Sequence, residues 1–284
     1  MTVGCHSLRF NLLLLDGIDG KGDRDRQVAG VPGAPGKYNF RLAPYLFLSD
    51  FEINRDLPIF QELVSLRDQV YKELLLPPGT ASVQVYLFED QQRYEQFMKA
   101  KYPDLPCRRA FFVAQPRTIG GTEDLLVYTY WGDRIRQDLR HELTHALLHS
   151  VLKEVPIWLD EGLAEYFELP PENKGINPKH VDKLRQSMAG LYKPDLQRLE
   201  GLSQVQQMTP AEYREAWAWV HLLLRGRPEG KVELVAYLQQ LRSNPNPGPL
   251  ALRIAKVYPS PDEAFEKHVG QLESRERADA SPVR

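Results

Sequence analysis

The stretch from Arg140 to His149, which reads RHELTHALLH, carries the side chains best suited to chemistry. His141 and His145 are four residues apart, and Glu142 follows the first of them. On a helix, residues i and i+4 project from one face, so the two imidazoles can bind one metal ion. Glu142 lies about 100° further round the helix, where a carboxylate can take a proton from a metal-activated water. The pattern predicts a metal site with His141 and His145 as ligands and Glu142 as general base.

A catalytic zinc ion usually has three protein ligands and one position left for water. Leu148 and Val151 stand where one class of zinc peptidase has a glycine and a third histidine, which excludes that arrangement. A second segment, VPIWLDEGLAEYFE, offers Glu161 after a gap of fifteen residues from His145. This gap is long enough for the first helix to end and for an antiparallel helix to begin near Pro156. A glutamate on that second helix is the other way to supply the third ligand.

The pair of motifs HELTH and WLDEGLA, at residues 141–145 and 158–164, resembles the gluzincin metallopeptidases. The likeness is greatest to the peptidase-MA-like group of mostly bacterial proteins and more distant to the aminopeptidase branch. The resemblance implies that the metal is zinc, that Glu161 is its third ligand and that Glu142 is the general base. The gap between the motifs is a few residues shorter than in the aminopeptidases. In addition, no G-x-M-E-N segment, which those enzymes use to hold a free amino end, precedes the helix.

Carboxylates near the proposed ligands form a second group of candidates. A metal-bound imidazole usually donates its other N–H to a carboxylate or carbonyl. Asp160 and Glu165 are expected to provide such partners, and Glu165, one turn beyond Glu161 on the same face, is the preferred one. For Glu168 a solvated helix face is the expected environment. His149 is too far along the helix to share the ion and is expected at the surface or as another such partner.

Two further roles follow from the resemblance. Tyr213 aligns with a tyrosine that in the aminopeptidase branch hydrogen-bonds the oxyanion, and a phenol is a suitable donor for that charge; a packing tyrosine is the alternative. In gluzincins the strand ahead of the zinc helix is often a sheet edge along which the peptide substrate lies. Leu126, Val127 and Tyr128 are therefore expected to pair with substrate backbone; an interior strand is the alternative.

Hydrophobic periodicity sets the expected fold. Short apolar or alternating segments indicate strands at 45–48, 82–88, 110–114 and 125–130. Helical periodicity and capping signals indicate helices at 56–76, 90–100, 134–151, 177–191, 209–225, 230–242, 250–258 and 261–273, besides the one that begins near Pro156. This order predicts an α+β protein: a zincin-like domain with a small mixed sheet and an HExxH helix, followed by a mostly helical C-terminal portion.

The predicted organisation has four parts. They are a flexible leader (1–37), a zincin-like catalytic domain (38–170), a helical C-terminal part of the same catalytic unit (171–273) and a loose tail (274–284). The apolar run at 10–15 is short for a secretory signal, and a degenerate export signal is the alternative. The resemblance leaves an exported or cell-envelope location open.

Composition bounds the partners. The net charge of −2 over 284 residues gives no case for nucleic-acid binding. No apolar run reaches the roughly 18 residues of a membrane span. The sequence gives no indication of oligomeric state.

Together these features predict a zinc-dependent peptidase that acts on a peptide or protein substrate. In the predicted mechanism, Glu142 takes a proton from the zinc-activated water as that water attacks the peptide carbonyl, and returns it to the leaving amine. One alternative is a zincin-fold binding or scaffold protein that retains zinc without peptidase activity. The other is an α+β protein without metal, in which the motif is a coincidence.

Overall fold

The computed structural model describes residues 33–116, 123–152 and 154–272, together with the backbone of residues 7–9. Residues 1–6 and 10–32 of the expected leader, which include the apolar run at 10–15, lie outside the described residues. So does the expected tail at 274–284.

Six strands and ten α-helices make up the described chain. The strands are β1 (Ser7–Arg9), β2 (Tyr38–Leu42), β3 (Tyr45–Ser49), β4 (Val83–Phe88), β5 (Ala110–Pro116) and β6 (Glu123–Tyr130). The helices are α1 (Pro58–Glu73), α2 (Gln91–Lys101), α3 (Ile135–His149), α4 (Ile157–Phe167), α5 (Pro178–Met188), α6 (Leu196–Glu200), α7 (Pro210–Arg225), α8 (Pro228–Leu241), α9 (Leu250–Val257) and α10 (Pro261–Gln271). The α+β class is confirmed, as is the mostly helical C-terminal part. Only β1, β2 and α6 are absent from the sequence-based predictions for the described ranges.

The chain divides into two compact units, a sheet unit and a helical unit. The sheet unit takes residues from 5–65 and 80–146, and the helical unit takes residues from 66–79 and from 147 onward. The division falls inside α3, whereas the sequence suggested a boundary at residue 170. The reason is that α4 packs on α7, so it belongs with the helices that follow it.

The sheet is mixed and has the strand order β1-β5-β6-β4-β3-β2. Strands β3, β4 and β6 run parallel to one another. Strand β2 is antiparallel to β3, and β5 is antiparallel to β6. Helices α1 and α2 lie between the parallel strands in sequence, because a parallel connection needs a crossover.

Strand β6, which carries Leu126, Val127 and Tyr128, is an interior strand. Its residues pair with β4 on one side and with β5 on the other. Both hydrogen-bonding edges of β6 are therefore occupied by the sheet itself. The expectation that these three residues pair with substrate backbone is wrong, and the interior alternative holds.

Strand β1 lies on the outer edge of β5. Residues 7–9 pair in parallel with residues 112–114, so this part of the expected leader is extended backbone in the sheet. An edge strand offers unpaired N–H and C=O groups to any extended segment. The pairing of β1 with β5 is made by backbone groups, so three residues of sequence contain no side-chain pattern that predicts it.

The two faces of the sheet are apolar, as expected for strands buried on both sides. One face and α2 share a largely aromatic cluster: Phe88, Tyr94, Phe97, Met98, Phe111, Val113, Leu126, Tyr128 and Tyr130. On the other face, Phe112 stacks on the ring of His145, with centroids 6.2 Å apart. Side chains alternate along a strand. Phe111 and Val113 of β5 therefore face the aromatic cluster, whereas Phe112 between them faces α3.

In the helical unit, α4 lies very close to α7. A Cβ atom on Gly162 would be 2.6 Å from the carbonyl oxygen of Ala216 and 2.9 Å from Cγ2 of Val220. A backbone oxygen cannot move aside as a flexible side chain can. The absence of a side chain at residue 162 therefore sets the spacing of the two helices.

Helix α7 is anchored by the buried carboxylate of Glu215. This group accepts hydrogen bonds from the backbone N–H of Asp195 at 2.6 Å and from Trp219 Nε1 at 3.2 Å. It also accepts from Arg198 at 2.5 Å and from the hydroxyl of Tyr192. Burial raises the pKa of Glu215, and these donors oppose the shift. A buried carboxylate is costly unless it is hydrogen-bonded, so this set of donors fixes the first half of α7.

A pair of histidines joins α7 to α10. Nδ1 of His221 is 2.8 Å from Nε2 of His268. Burial lowers the pKa of both rings, that of His268 to about 4, and the charges of His268 and Arg225 lower the pKa of His221 further. Both imidazoles are therefore neutral at pH 7.

No α-helix within the described ranges combines the length and the apolar character that a membrane crossing requires.

The packing of Gly162 predicts an unusual response to alanine. Replacing glycine by alanine inside a helix normally stabilises it by up to about 1 kcal/mol. Gly162→Ala should instead destabilise the protein by about 1–3 kcal/mol, because the new methyl group meets a backbone oxygen. Gly270→Ala in α10 is the matched control, since nothing lies within 4 Å of its added Cβ. Thermal unfolding of the two variants measures the contrast, and equal melting temperatures would contradict it.

The histidine pair predicts acid sensitivity. The unfolded chain binds protons at these histidines below about pH 6.5, whereas the folded chain does so only at lower pH. Stability contributed by the pair is thus complete above pH 6.5 and is lost as the pH falls toward 4. Removing one titrating ring in His268→Phe should reduce the stability lost between pH 7.5 and 5 by about 1 kcal/mol. Urea unfolding at the two pH values tests this; an unchanged loss would count against it.

Candidate metal centre

Helix α3 carries the HExxH motif on a fully buried stretch. Leu139, Leu143, Ala146 and Leu147 are all buried apolar residues at helical spacing. Asp138 lies in its first turn and His149 in its last, which complements the helix dipole.

The start of α3 is tied to the sheet through Arg109, the residue before β5. Its Nε donates to Asp138 at 3.0 Å, and its NH2 donates to Asp133 at 3.0 Å. Burial raises the pKa of Asp138, and the guanidinium of Arg109 acts against this shift. This ion pair fixes the first turn of α3 and hence the direction in which the histidines project.

His141 and His145 lie one above the other, as their spacing predicts. Their ring centroids are 5.0 Å apart with an interplanar angle of 67°. Phe112 of β5 stacks on the outer face of the His145 ring. The apolar ring restricts the rotation of this imidazole, so its nitrogens have a fixed direction.

Helix α4 supplies the third predicted ligand. It begins after Pro156, which is its N-cap residue and not the first residue of its first turn. Ten of its eleven residues are buried, including Asp160, Glu161 and Glu165. A helix that buries so many carboxylates must provide each with hydrogen bonds or positive charge.

The three predicted ligands come together. One ring nitrogen each of His141 and His145 and one carboxylate oxygen of Glu161 lie within 4.8 Å of one another. Ligands at about 2.0–2.1 Å from a tetrahedral zinc ion are about 3.4 Å apart, a spacing that falls within the 4.8 Å limit of this group. Two imidazoles and a carboxylate form a donor set that suits Zn²⁺ and leaves one coordination position open. The residues therefore fit the predicted metal.

The residues of the motif are removed from solvent. The exposed fraction is 3% for His141, 0% for Glu142, 0% for His145 and 1% for Glu161. Electrostatic interactions are stronger in such an environment than in water.

Asp160 is paired with His149, whose Nε2 is 3.0 Å from the Asp160 carboxylate. Both side chains are buried, so His149 is not a surface residue. This contact joins the last turn of α3 to the first turn of α4. Asp160 was predicted to support a metal-bound imidazole; the structure places it on the histidine four residues further along.

Glu165 and Glu168 form a second cluster with His141. One ring nitrogen of His141 and one oxygen of each carboxylate lie within 4.8 Å of one another. Glu168 is only 5% exposed, so the solvated face expected for it is wrong. Glu165, the preferred partner for a metal-bound imidazole, thus lies in one cluster with His141, and its role stays a prediction.

Two polar residues at the start of α5, which no sequence motif singled out, bind these carboxylates. Nε2 of His180 is 2.6 Å from Glu165, and Asn177 Nδ2 donates to Glu168 at 3.4 Å. Burial lowers the pKa of His180, but the charge of Glu165 and the hydrogen bond to it outweigh this, so the pKa is raised overall. The only local signal was Asn177-Pro178 as a helix start, which indicates a cap and not a contact.

Tyr213 lies in the first half of α7. Its helix begins at Thr209, whose side chain and that of Glu212 form a capping box. Tyr213 is only 4% exposed. Its role as an oxyanion donor stays a prediction.

Comparisons with known proteins add the following. A family described as "Protein of unknown function (DUF1570)" matches residues 137–247, from the first turn of α3 to the segment before α9. No curated protein sequence matches the chain. Among solved structures, an M1 zinc metallopeptidase from Deinococcus radiodurans matches with a TM-score of 0.41 and 17% sequence identity. The match covers 88% of this chain and 53% of that one, so this chain spans about half of that protein's length.

The two clusters share His141, which allows a direct test of the ligand set. Wild-type protein should bind about one zinc ion per chain. Glu161→Gln should weaken zinc binding at least about tenfold more than Glu168→Gln, because only Glu161 lies with both histidines of the motif. Equilibrium dialysis with elemental analysis measures both affinities. Equal losses, or a larger loss in Glu168→Gln, would contradict the assignment.

Proposed function

We propose that this chain is a zinc-dependent peptidase of the gluzincin type with a zincin-like fold. The observation that carries the proposal is the convergence of the His141, His145 and Glu161 ligand atoms within 4.8 Å, with Glu142 on the same helix as the two histidines. His141, His145 and Glu161 would hold the ion. A zinc ion with three protein ligands supplies a Lewis acid that polarises a carbonyl and lowers the pKa of a water.

Glu142 is the proposed general base. Its neighbour His141 would hold the ion through a ring nitrogen, and Glu142 projects about 100° further round the helix. A carboxylate there receives the proton of the attacking water and passes it to the nitrogen of the leaving amine. Full burial of this side chain keeps its proton exchange directed at the reactants instead of bulk water.

Tyr213 is the proposed donor to the oxyanion. A phenol hydroxyl donates one hydrogen bond without itself carrying charge, which suits charge that develops only during the reaction. The buried carboxylate of Glu215, two residues later, fixes the backbone of this turn. A fixed donor stabilises developing charge better than a mobile one, because it needs no reorganisation.

The substrate of the proposed peptidase is a peptide or protein. The substrate cannot add to the sheet along β6, because β4 and β5 already pair with both edges of that strand. A zinc-retaining binding protein without activity is the competing hypothesis, and activity separates the two.

Glu142→Gln tests the proposed chemistry. The amide keeps the size of the side chain but cannot accept a proton, so peptide hydrolysis should fall by about 10²–10⁴-fold while zinc stays bound. His145→Ala should lose both zinc and activity. The assay is cleavage of a quenched fluorescent peptide library with and without a chelator. Zinc-bound wild type that cleaves nothing, or full activity in Glu142→Gln, would contradict the proposal.

A further inference from the structure

The N-terminal end of α5 supports two carboxylates at once, one in α4 and one at its C-cap. Asn177 caps α5 by accepting the N–H of His180 at 3.3 Å, and it donates from Nδ2 to Glu168 at 3.4 Å. His180, three residues later, has its Nε2 2.6 Å from the Glu165 carboxylate. Because the cap fixes the start of the helix, both side chains have defined positions relative to α4.

The same two carboxylates lie beside a proposed zinc ligand. Oxygens of Glu165 and Glu168 and one ring nitrogen of His141 lie within 4.8 Å of one another. Glu165 is thus hydrogen-bonded to His180 and lies in one cluster with His141. It connects an imidazole of α5 with an imidazole of the proposed metal centre.

His180 is held firmly enough to act through Glu165. Its side chain is 10% exposed, and its ring lies edge-on to Trp217, with centroids 5.4 Å apart. Trp217 is itself fixed, because its Nε1 donates to the carbonyl of Gly175 at 2.8 Å. The imidazole that is hydrogen-bonded to Glu165 therefore lies against a side chain that is itself fixed.

We propose that His180 is a positioning residue for the metal centre: it holds the Glu165 carboxylate in the orientation that fixes the imidazole of His141. The inference rests on the proposed function, since it needs His141 to bind the ion. A carboxylate partner sets the tautomer and direction of a metal-binding imidazole, and such outer partners affect metal affinity by about 10–100-fold. Here the carboxylate depends in turn on a hydrogen bond from α5.

Two substitutions at residue 180 separate the hydrogen bond from packing. His180→Phe keeps a ring against Trp217 but removes the donor to Glu165. His180→Gln keeps an N–H donor at a similar reach. We expect the zinc dissociation constant to rise about tenfold or more in His180→Phe and to stay within about threefold of wild type in His180→Gln, because the hydrogen bond is restored.

A cobalt-substituted protein reports the geometry directly. The visible absorption of bound Co²⁺ depends on the positions of its ligands, so it should change in His180→Phe and return in His180→Gln. Glu165→Gln should produce the same change, and combining it with His180→Phe should add little, since both remove one interaction.

His268→Phe is the matched control. It removes another imidazole hydrogen bond of the helical unit, between α7 and α10, and should leave zinc affinity and the cobalt spectrum unchanged. Thermal unfolding of the zinc-free variants accounts for general loss of stability.

The outcomes separate this inference from the proposed function. If wild type binds zinc and His180→Phe binds it equally well, the inference is overturned and the proposed function stands. Equal weakening in His180→Phe and His180→Gln also overturns it, because packing alone then explains the effect. If wild type binds no zinc, both fail together. Selective weakening in His180→Phe, with recovery in His180→Gln, supports it.

Discussion

The cost of burying ionisable groups governs this structure. Glu142 and Glu161 lie among the buried side chains next to His141 and His145. Taking a carboxylate out of water costs several kcal/mol unless nearby positive charge or hydrogen bonds offset it. A divalent cation held by His141, His145 and Glu161 would provide that charge at the place where the acidic groups collect. The burial that makes the site expensive to form would also strengthen the interactions made there.

Helix α4 extends this principle along its whole length. It is almost entirely buried, yet it carries Asp160, Glu161 and Glu165 and ends at the buried C-cap residue Glu168. Three of these carboxylates have partners outside α4: Asp160 with His149 of α3, Glu165 with His180 of α5, and Glu168 with the α5 N-cap residue Asn177. The fourth is the proposed ligand. The position of α4 is thus determined by specific polar contacts as well as by its apolar packing on α7.

Local rules predicted much of this arrangement. The i, i+4 spacing of His141 and His145 and the helix period of 3.6 were sufficient to place both imidazoles on one face. The proposed third ligand, Glu161, came from a resemblance of sequence motifs, and its carboxylate belongs to one cluster with the two histidines. The boundaries of most helices followed from caps and prolines, as for Thr209-Pro210 at the start of α7.

Long-range features did not follow from the sequence. Strand β6 is interior because β5 pairs with the edge of β6 that β4 leaves open. Nothing in the sequence of β6 itself indicates this pairing. The pairing of residues 7–9 with β5 is made by backbone groups common to all residues. His180 and Glu165 form a hydrogen bond between two different helices, and neither segment carries a sequence pattern that indicates the other. Strand order and helix contacts are decided by the whole chain.

The close approach of Gly162 to Ala216 has a consequence for the energetics of ligand binding. Because α7 fixes α4 through backbone contact, the backbone freedom around Glu161 is already lost when the helical unit folds. At Glu161, an arriving ion would then restrict little beyond the rotamer of the side chain. The conformational entropy lost at this residue on binding would be small, and departure of the ion would leave α4 in place.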